Sequence, residues 1–99
     1  MSVDLSVHPE VEVELRSALV YYRENASTAI ATKFLKTYDA AILGIYRHPH
    51  SFSIFLENYR RKVTGQFPFS IFYSLKHSEV RILALAHQSR DPLYWLGRE

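Results

Sequence analysis

Residues 67–94, FPFSIFYSLKHSEVRILALAHQSRDPLY, restrict the fold more than any other stretch of the chain. Phe69, Ile71, Tyr73 and Leu75 alternate with Ser70, Phe72, Ser74 and Lys76, the period of two that marks a strand. Val80 to Ala86 is apolar almost throughout after Arg81, which predicts a strand covered on both faces. The polar step Lys76-His77-Ser78-Glu79 between them is short enough to make the pair an antiparallel hairpin. The second strand ends abruptly in His87-Gln88-Ser89-Arg90-Asp91-Pro92. Polar, titratable residues at the end of a hydrophobic scaffold are a common place for function.

The rest of the chain reads as support for this hairpin. Val3, Leu5 and Val7 alternate with polar residues as a short first strand. Pro9 suits the first turn of a helix, and Glu10, Glu12 and Glu14 place negative charge near its positive end. Val11, Leu15, Ala18, Leu19 and Tyr22 recur at helical spacing, giving a first helix over 9–25. Ser27 can cap a second helix from about Thr28 to Tyr46 or Arg47, whose inner stripe is Ile30, Phe34, Tyr38, Ala41, Ile42 and Ile45. Helices joined by so few residues form an antiparallel hairpin. His48-Pro49-His50 ends the second, since a residue before proline avoids the helical region.

Residues 51–58, SFSIFLEN, read either as irregular chain or as a short strand lead-in. Residues 59–63, YRRKV, read as a basic strand, and Asp91-Pro92 is taken to open a short C-terminal helix with Leu93, Tyr94, Trp95 and Leu96 before Gly97. The fold class is therefore α+β in one domain: strand, antiparallel helical hairpin, three-stranded antiparallel meander, short C-terminal helix. A length of 99 residues fits one core.

Charge is uneven. Residues 1–49 hold five Lys/Arg against six Asp/Glu, and residues 50–99 hold seven against four, so the sheet half is basic. Such a half favours an acidic or polyanionic partner. The absence of cysteine excludes disulfides and thiolate chemistry. Without a leader pattern or an apolar run of eighteen, a cytoplasmic location without membrane association is expected. His48, His50, His77 and His87 have neither cysteine nor an acidic residue at ligand spacing, so no metal and no cofactor is expected.

Several residues are candidates for a site. His87 can act as general acid or base, or can simply bond a neighbouring strand. Arg60, Arg61 and Lys62 alternate across a strand, so two of the three share a face. With Arg90 they can hold a phosphate backbone or an acidic partner, or they can protect an edge strand from aggregation. Arg81 joins them as a binding candidate. Tyr94 can stack on a base or pack, whereas Trp95 in Leu-Tyr-Trp-Leu reads as core. Tyr21 and Tyr22 read as packing or partner contact.

The stretches Phe67 to Tyr73, Val80 to His87 and Ser89 to Trp95 together resemble the RelE/ParE superfamily of toxins from bacterial type II toxin–antitoxin systems, with the ParE-like, "plasmid stabilisation" subgroup the nearest in pattern. The resemblance spans almost the whole chain. It implies a small α+β toxin of the cytoplasm, complexed and silenced by a cognate antitoxin. ParE-like members inhibit DNA gyrase by protein contact, whereas RelE-like members cut messenger RNA on the ribosome without metal, using arginine, lysine, histidine or tyrosine. In the second case His87 and Arg90 would be catalytic. In the first, Arg60, Arg61, Lys62, Arg81 and Tyr94 would contact target or antitoxin. Ser70 stands where RelE-like ribonucleases often have an arginine that stabilises the scissile phosphate, and a hydroxyl cannot supply that charge. The resemblance with this departure implies the gyrase-inhibiting activity, with ribosome-dependent cleavage as the alternative. A purely structural interaction module is the third reading.

Overall fold

The computed structural model describes residues 3–98. Seven elements follow in order: β1 (Asp4–Val7), α1 (Pro9–Asn25), α2 (Thr28–Arg47), β2 (Ser53–Leu56), β3 (Tyr59–Val63), β4 (Phe69–Lys76) and β5 (Glu79–His87). The local signals act as expected. Ser27 caps α2 by accepting the N–H of Ile30 at 3.1 Å. His48 ends it with its own N–H on the carbonyl of Gly44 at 2.9 Å.

One sheet has the order β1-β5-β4-β3-β2. Four strands run as an antiparallel meander, one more than the sequence predicts, because residues 53–56 pair with β3. Their side chains do not alternate cleanly in polarity, so the backbone pairing decides. Glu57 takes up φ 49° in the two-residue turn to β3, and His77 takes up φ 57° in the β4–β5 turn. β1 returns across the helical hairpin to lie parallel to β5, pairing Asp4 with Glu79 through Val7 with Ile82.

The expected C-terminal helix is absent. Residues 92–97 form successive turns, with backbone bonds of the i→i+3 kind: Tyr94 to Asp91 at 3.4 Å, Leu96 to Leu93 at 3.0 Å and Arg98 to Trp95 at 3.1 Å. Asp91 Oδ1 takes the N–H of Leu93 at 2.9 Å. A carboxylate that bonds its own backbone offers the chain an alternative to a helix, and Gly97 at φ 96° ends the run before an i→i+4 ladder can start.

The sheet has two unlike faces. The helices cover one, where Tyr22 and Phe34 meet each other and both Phe67 and Phe69, edge-on or tilted, with ring centroids 5.0–6.3 Å apart. Val11, Ala18, Tyr38, Ala41, Ile45, Ile71, Tyr73, Val80, Ile82 and Leu85 complete that core. Residues 88–98 cover part of the other face, where fully buried Trp95 stacks on Phe72 at 4.9 Å above Leu83, Ala84 and Ala86. A β-bulge explains how β5 serves both. Phe72 pairs with Ala84 and Tyr73 with Ile82, so Leu83 is the additional residue and the inward phase shifts there. No helix among the described residues is long and apolar enough to cross a membrane.

Candidate functional site

A cleft of about 320 Å³ opens on the face that the C-terminal segment covers, lined by Arg61, Val63, Ser70, Phe72, Ala86, His87, Gln88, Arg90 and Pro92. β3, β4 and the end of β5 form its floor, and the turn after β5 brings in Arg90. Phe69 pairs with His87 and Ser70 with Ala86, so the β4–β5 register delivers Ser70 to the cleft beside the histidine.

His87 is exposed, and its ring meets Phe69 edge-on at 5.2 Å. Its Nδ1 accepts the backbone N–H of Ser89 at 3.0 Å and lies 2.8 Å from Ser89 Oγ. A nitrogen that accepts from a backbone N–H has no proton of its own, so neutral His87 bears its hydrogen on Nε2. The imidazole therefore offers a donor, and its one lone pair is already engaged. Arg61 is exposed and, among the described residues, makes no ion pair. Its guanidinium lies 6.0 Å from the Phe55 ring. Arg90 stacks on Tyr94 at 3.6 Å and reaches Glu14 only at 3.9 Å. The cleft thus collects two guanidinium groups and an imidazole donor, and no carboxylate lines it.

The other expected site residues lie elsewhere. Arg60 belongs to the opposite side of β3, where its Nη1 donates to the carbonyls of His50 at 3.1 Å and Phe52 at 2.8 Å. Lys62 lies 4.2 Å over the Phe52 ring. Both contact the segment between α2 and β2, and of the three cations of this strand Arg61 is the one that lines the cleft. Arg81 sits at the far end of β5 and donates to Ser6 Oγ at 3.0 Å. The Tyr94 ring has the Arg90 guanidinium over it at 3.6 Å and that of Arg98 at 5.0 Å. Its hydroxyl donates to Glu14 Oε2 at 2.5 Å. Burial, reinforced by that bond and the charge of Glu14, pushes the Tyr94 phenol well above its usual range.

Glu14 is the residue the sequence does not announce. It looks like a helix-dipole carboxylate, yet it is 10% exposed and ties four groups together. Besides Tyr94 and Arg90 it accepts from Arg98 Nη1 at 3.1 Å and from the backbone N–H of Leu85 at 3.0 Å. Arg98 also donates to the carbonyl of Leu83 at 2.9 Å. β1 stops at Val7, so the second half of β5 is a sheet edge, and these side chains satisfy it. The available signal was position: Glu14 is four residues before Ala18 on the flank of the buried stripe.

No three His, Asp or Glu residues among those described cluster to hold a metal. Two helices on one face of a five-stranded, mostly antiparallel sheet, with a cation-lined cleft on the other, define a small α+β domain. Residues 5–92 match the family described as the ParE toxin of the type II toxin–antitoxin system parDE, and the chain belongs to that family. No curated protein matches it. A chain of the solved "Chromosomal ParDE TA system from P. aeruginosa" has the same fold, with TM-score 0.76 at 15% identity over 87% of this chain and 96% of that one.

Proposed function

We propose that the chain is a growth-inhibiting cytoplasmic toxin, held silent in a complex with a cognate antitoxin, and that it acts on DNA gyrase by protein–protein contact. The antitoxin follows from family membership and from the likeness to a structure titled as a toxin–antitoxin system. The choice of target rests on the chemistry of the cleft. Metal-free cleavage of RNA needs a base for the 2′-hydroxyl and a charge at the scissile phosphate. His87 presents a donor where a base is needed, and Ser70 is buried where a cation would serve. Two guanidinium groups with a fixed donor suit recognition of acidic side chains better than bond cleavage.

A supercoiling assay with purified gyrase tests this reading. The protein should inhibit supercoiling or trap cleaved DNA, and His87→Ala should leave a measurable part of that inhibition. Untouched supercoiling together with messages cut at the ribosomal A site, lost in His87→Ala and Arg90→Ala, would establish the endoribonuclease instead. Harmless accumulation of the chain expressed without its antitoxin would sink both toxic readings and leave an interaction module.

A further inference from the structure

The sheet ends in β2, which pairs with β3 on one side and has no strand on the other among the described residues. Such an edge presents backbone N–H and C=O groups to any strand that can align with them, and proteins commonly guard it with lysine, proline or charge. The four residues of β2, Ser53-Ile54-Phe55-Leu56, include none of these. Ile54 is 64% exposed, more than any other large apolar side chain among the described residues, and Leu56 is 40% exposed. Phe55, at the bulge between them, meets Phe72 and Trp95 with ring centroids 5.0 and 6.1 Å away, so the core takes Phe55 and leaves its two apolar neighbours outside. The charges beside the strand are opposite at its two ends. Arg61 pairs with Ser53 at the start and Lys62 follows it, whereas Glu57 stands directly after Leu56 at the finish.

We propose that β2 pairs antiparallel with the β2 of a second copy of this chain, joining the two sheets into one across a two-fold axis. The pairing concerns the sheet edge alone and stands apart from the choice of cellular target. Charge selects both the occupant and the direction. In an antiparallel pair the Glu57 end of each copy runs beside the Arg61 and Lys62 end of the other, so the same favourable contact is made twice. A parallel pair would set Glu57 against Glu57 and the cations against cations. A two-fold contact uses one patch on both partners, so the patch must complement itself. β2 meets that requirement. With the axis between Ile54 and Phe55, Ser53 falls opposite Leu56 and Glu57 opposite Phe52, so no like charges meet within the strand. Four residues and a bulge keep the contact well below the area of a permanent dimer, and the pair is weak and reversible.

Sedimentation equilibrium of the full-length chain over a wide range of concentration reads this directly and should show a monomer–dimer equilibrium. Ile54→Lys brings two ammonium groups beside the axis and should weaken the dimer about tenfold or more. Glu57→Lys should weaken it several-fold. Ile54 is exposed, so circular dichroism of Ile54→Lys should match that of the wild type. Val7→Lys, on the opposite edge strand β1, controls for added charge and should change nothing. Amide hydrogen exchange in β2 should slow as the wild type is concentrated and should stay fast in Ile54→Lys. A chain that is monomeric at every concentration overturns the proposal, as does a dimer indifferent to Ile54→Lys. Open-ended growth that is lost in Val7→Lys overturns it too, because β2 would then pair head-to-tail with β1. A monomeric free chain whose antitoxin binds Ile54→Lys more weakly than wild type assigns the edge to the antitoxin and overturns the second copy.

Discussion

The two faces of the sheet are built from the same strands and end in opposite conditions. One lies under 37 residues of helix and closes into a core of interlocking rings. The other is covered only by turns, and it stays partly open. Trp95 does most of that covering, at a cost: its Nε1 is the buried side-chain nitrogen without a hydrogen-bond partner among the described residues, a defect worth about 1–3 kcal/mol. Regular elements bury most of the face they cover. An irregular segment seals what it can, and the uncovered remainder becomes the cleft.

The largest test of this contrast is Trp95→Ala. If the tryptophan is the keystone of the thin face, denaturant unfolding should show a loss of about 3–5 kcal/mol, comparable with Phe34→Ala on the helical face. A loss below about 1 kcal/mol would mean that the segment is decoration. Glu14→Ala comes next, at about 3 kcal/mol, because it strands Arg98, Tyr94 and the Leu85 N–H together. Faster hydrogen exchange at Leu85 should accompany it.

Alkaline pH sharpens the comparison further. Burial pushes the Tyr73 phenol up to about 12, with nearby Arg60 opposing the shift, and Tyr94 is raised as well. A phenol with a raised folded pKa contributes stability that is complete below its unfolded value of about 10 and is lost as pH climbs toward the folded value. Each of these tyrosines should therefore steepen the fall above about pH 10 by roughly 1.4 kcal/mol per pH unit. Tyr73→Phe, which loses its bond to the Pro49 carbonyl at 2.6 Å, should flatten that fall in a pH titration of stability. The smallest effect separates neighbours on opposite faces. Arg60→Ala should cost about 2 kcal/mol through its two carbonyl bonds, whereas Arg61→Ala should stay within about 0.5 kcal/mol. Equal losses would erase the distinction between the two.

Local chemistry made the helices legible. Pro9, Ser27 and the His48-Pro49 step mark both ends of the hairpin, and the apolar stripes give its inner side. β2 was ambiguous because its identity comes from pairing with β3, and residues 53–56 have no alternation of their own. Residues 92–97 form turns although Leu93, Trp95 and Leu96 suit a helix, because the Asp91 side chain bonds the backbone locally and Gly97 takes up positive φ. His87 and Arg90 were visible as a polar end to an apolar strand. Which of Arg60, Arg61 and Lys62 joins them depends on register and on which carbonyls lie in reach, information that no spacing contains. Glu14 was hidden for the same reason, since its partners sit 71, 80 and 84 positions away.

Those separations also govern when the molecule becomes competent. The helices and strands come from residues 4–87, while Arg90, Tyr94, Trp95 and Arg98 all follow the last strand. Contacts of such long reach form late, because the chain must be closed into its largest loop before they stabilise anything. The residues up to His87 hold every helix and strand, and the wall of the cleft comes from Gln88, Arg90 and Pro92 beyond them. The cleft is therefore finished only once residues 88–98 have folded back across the sheet.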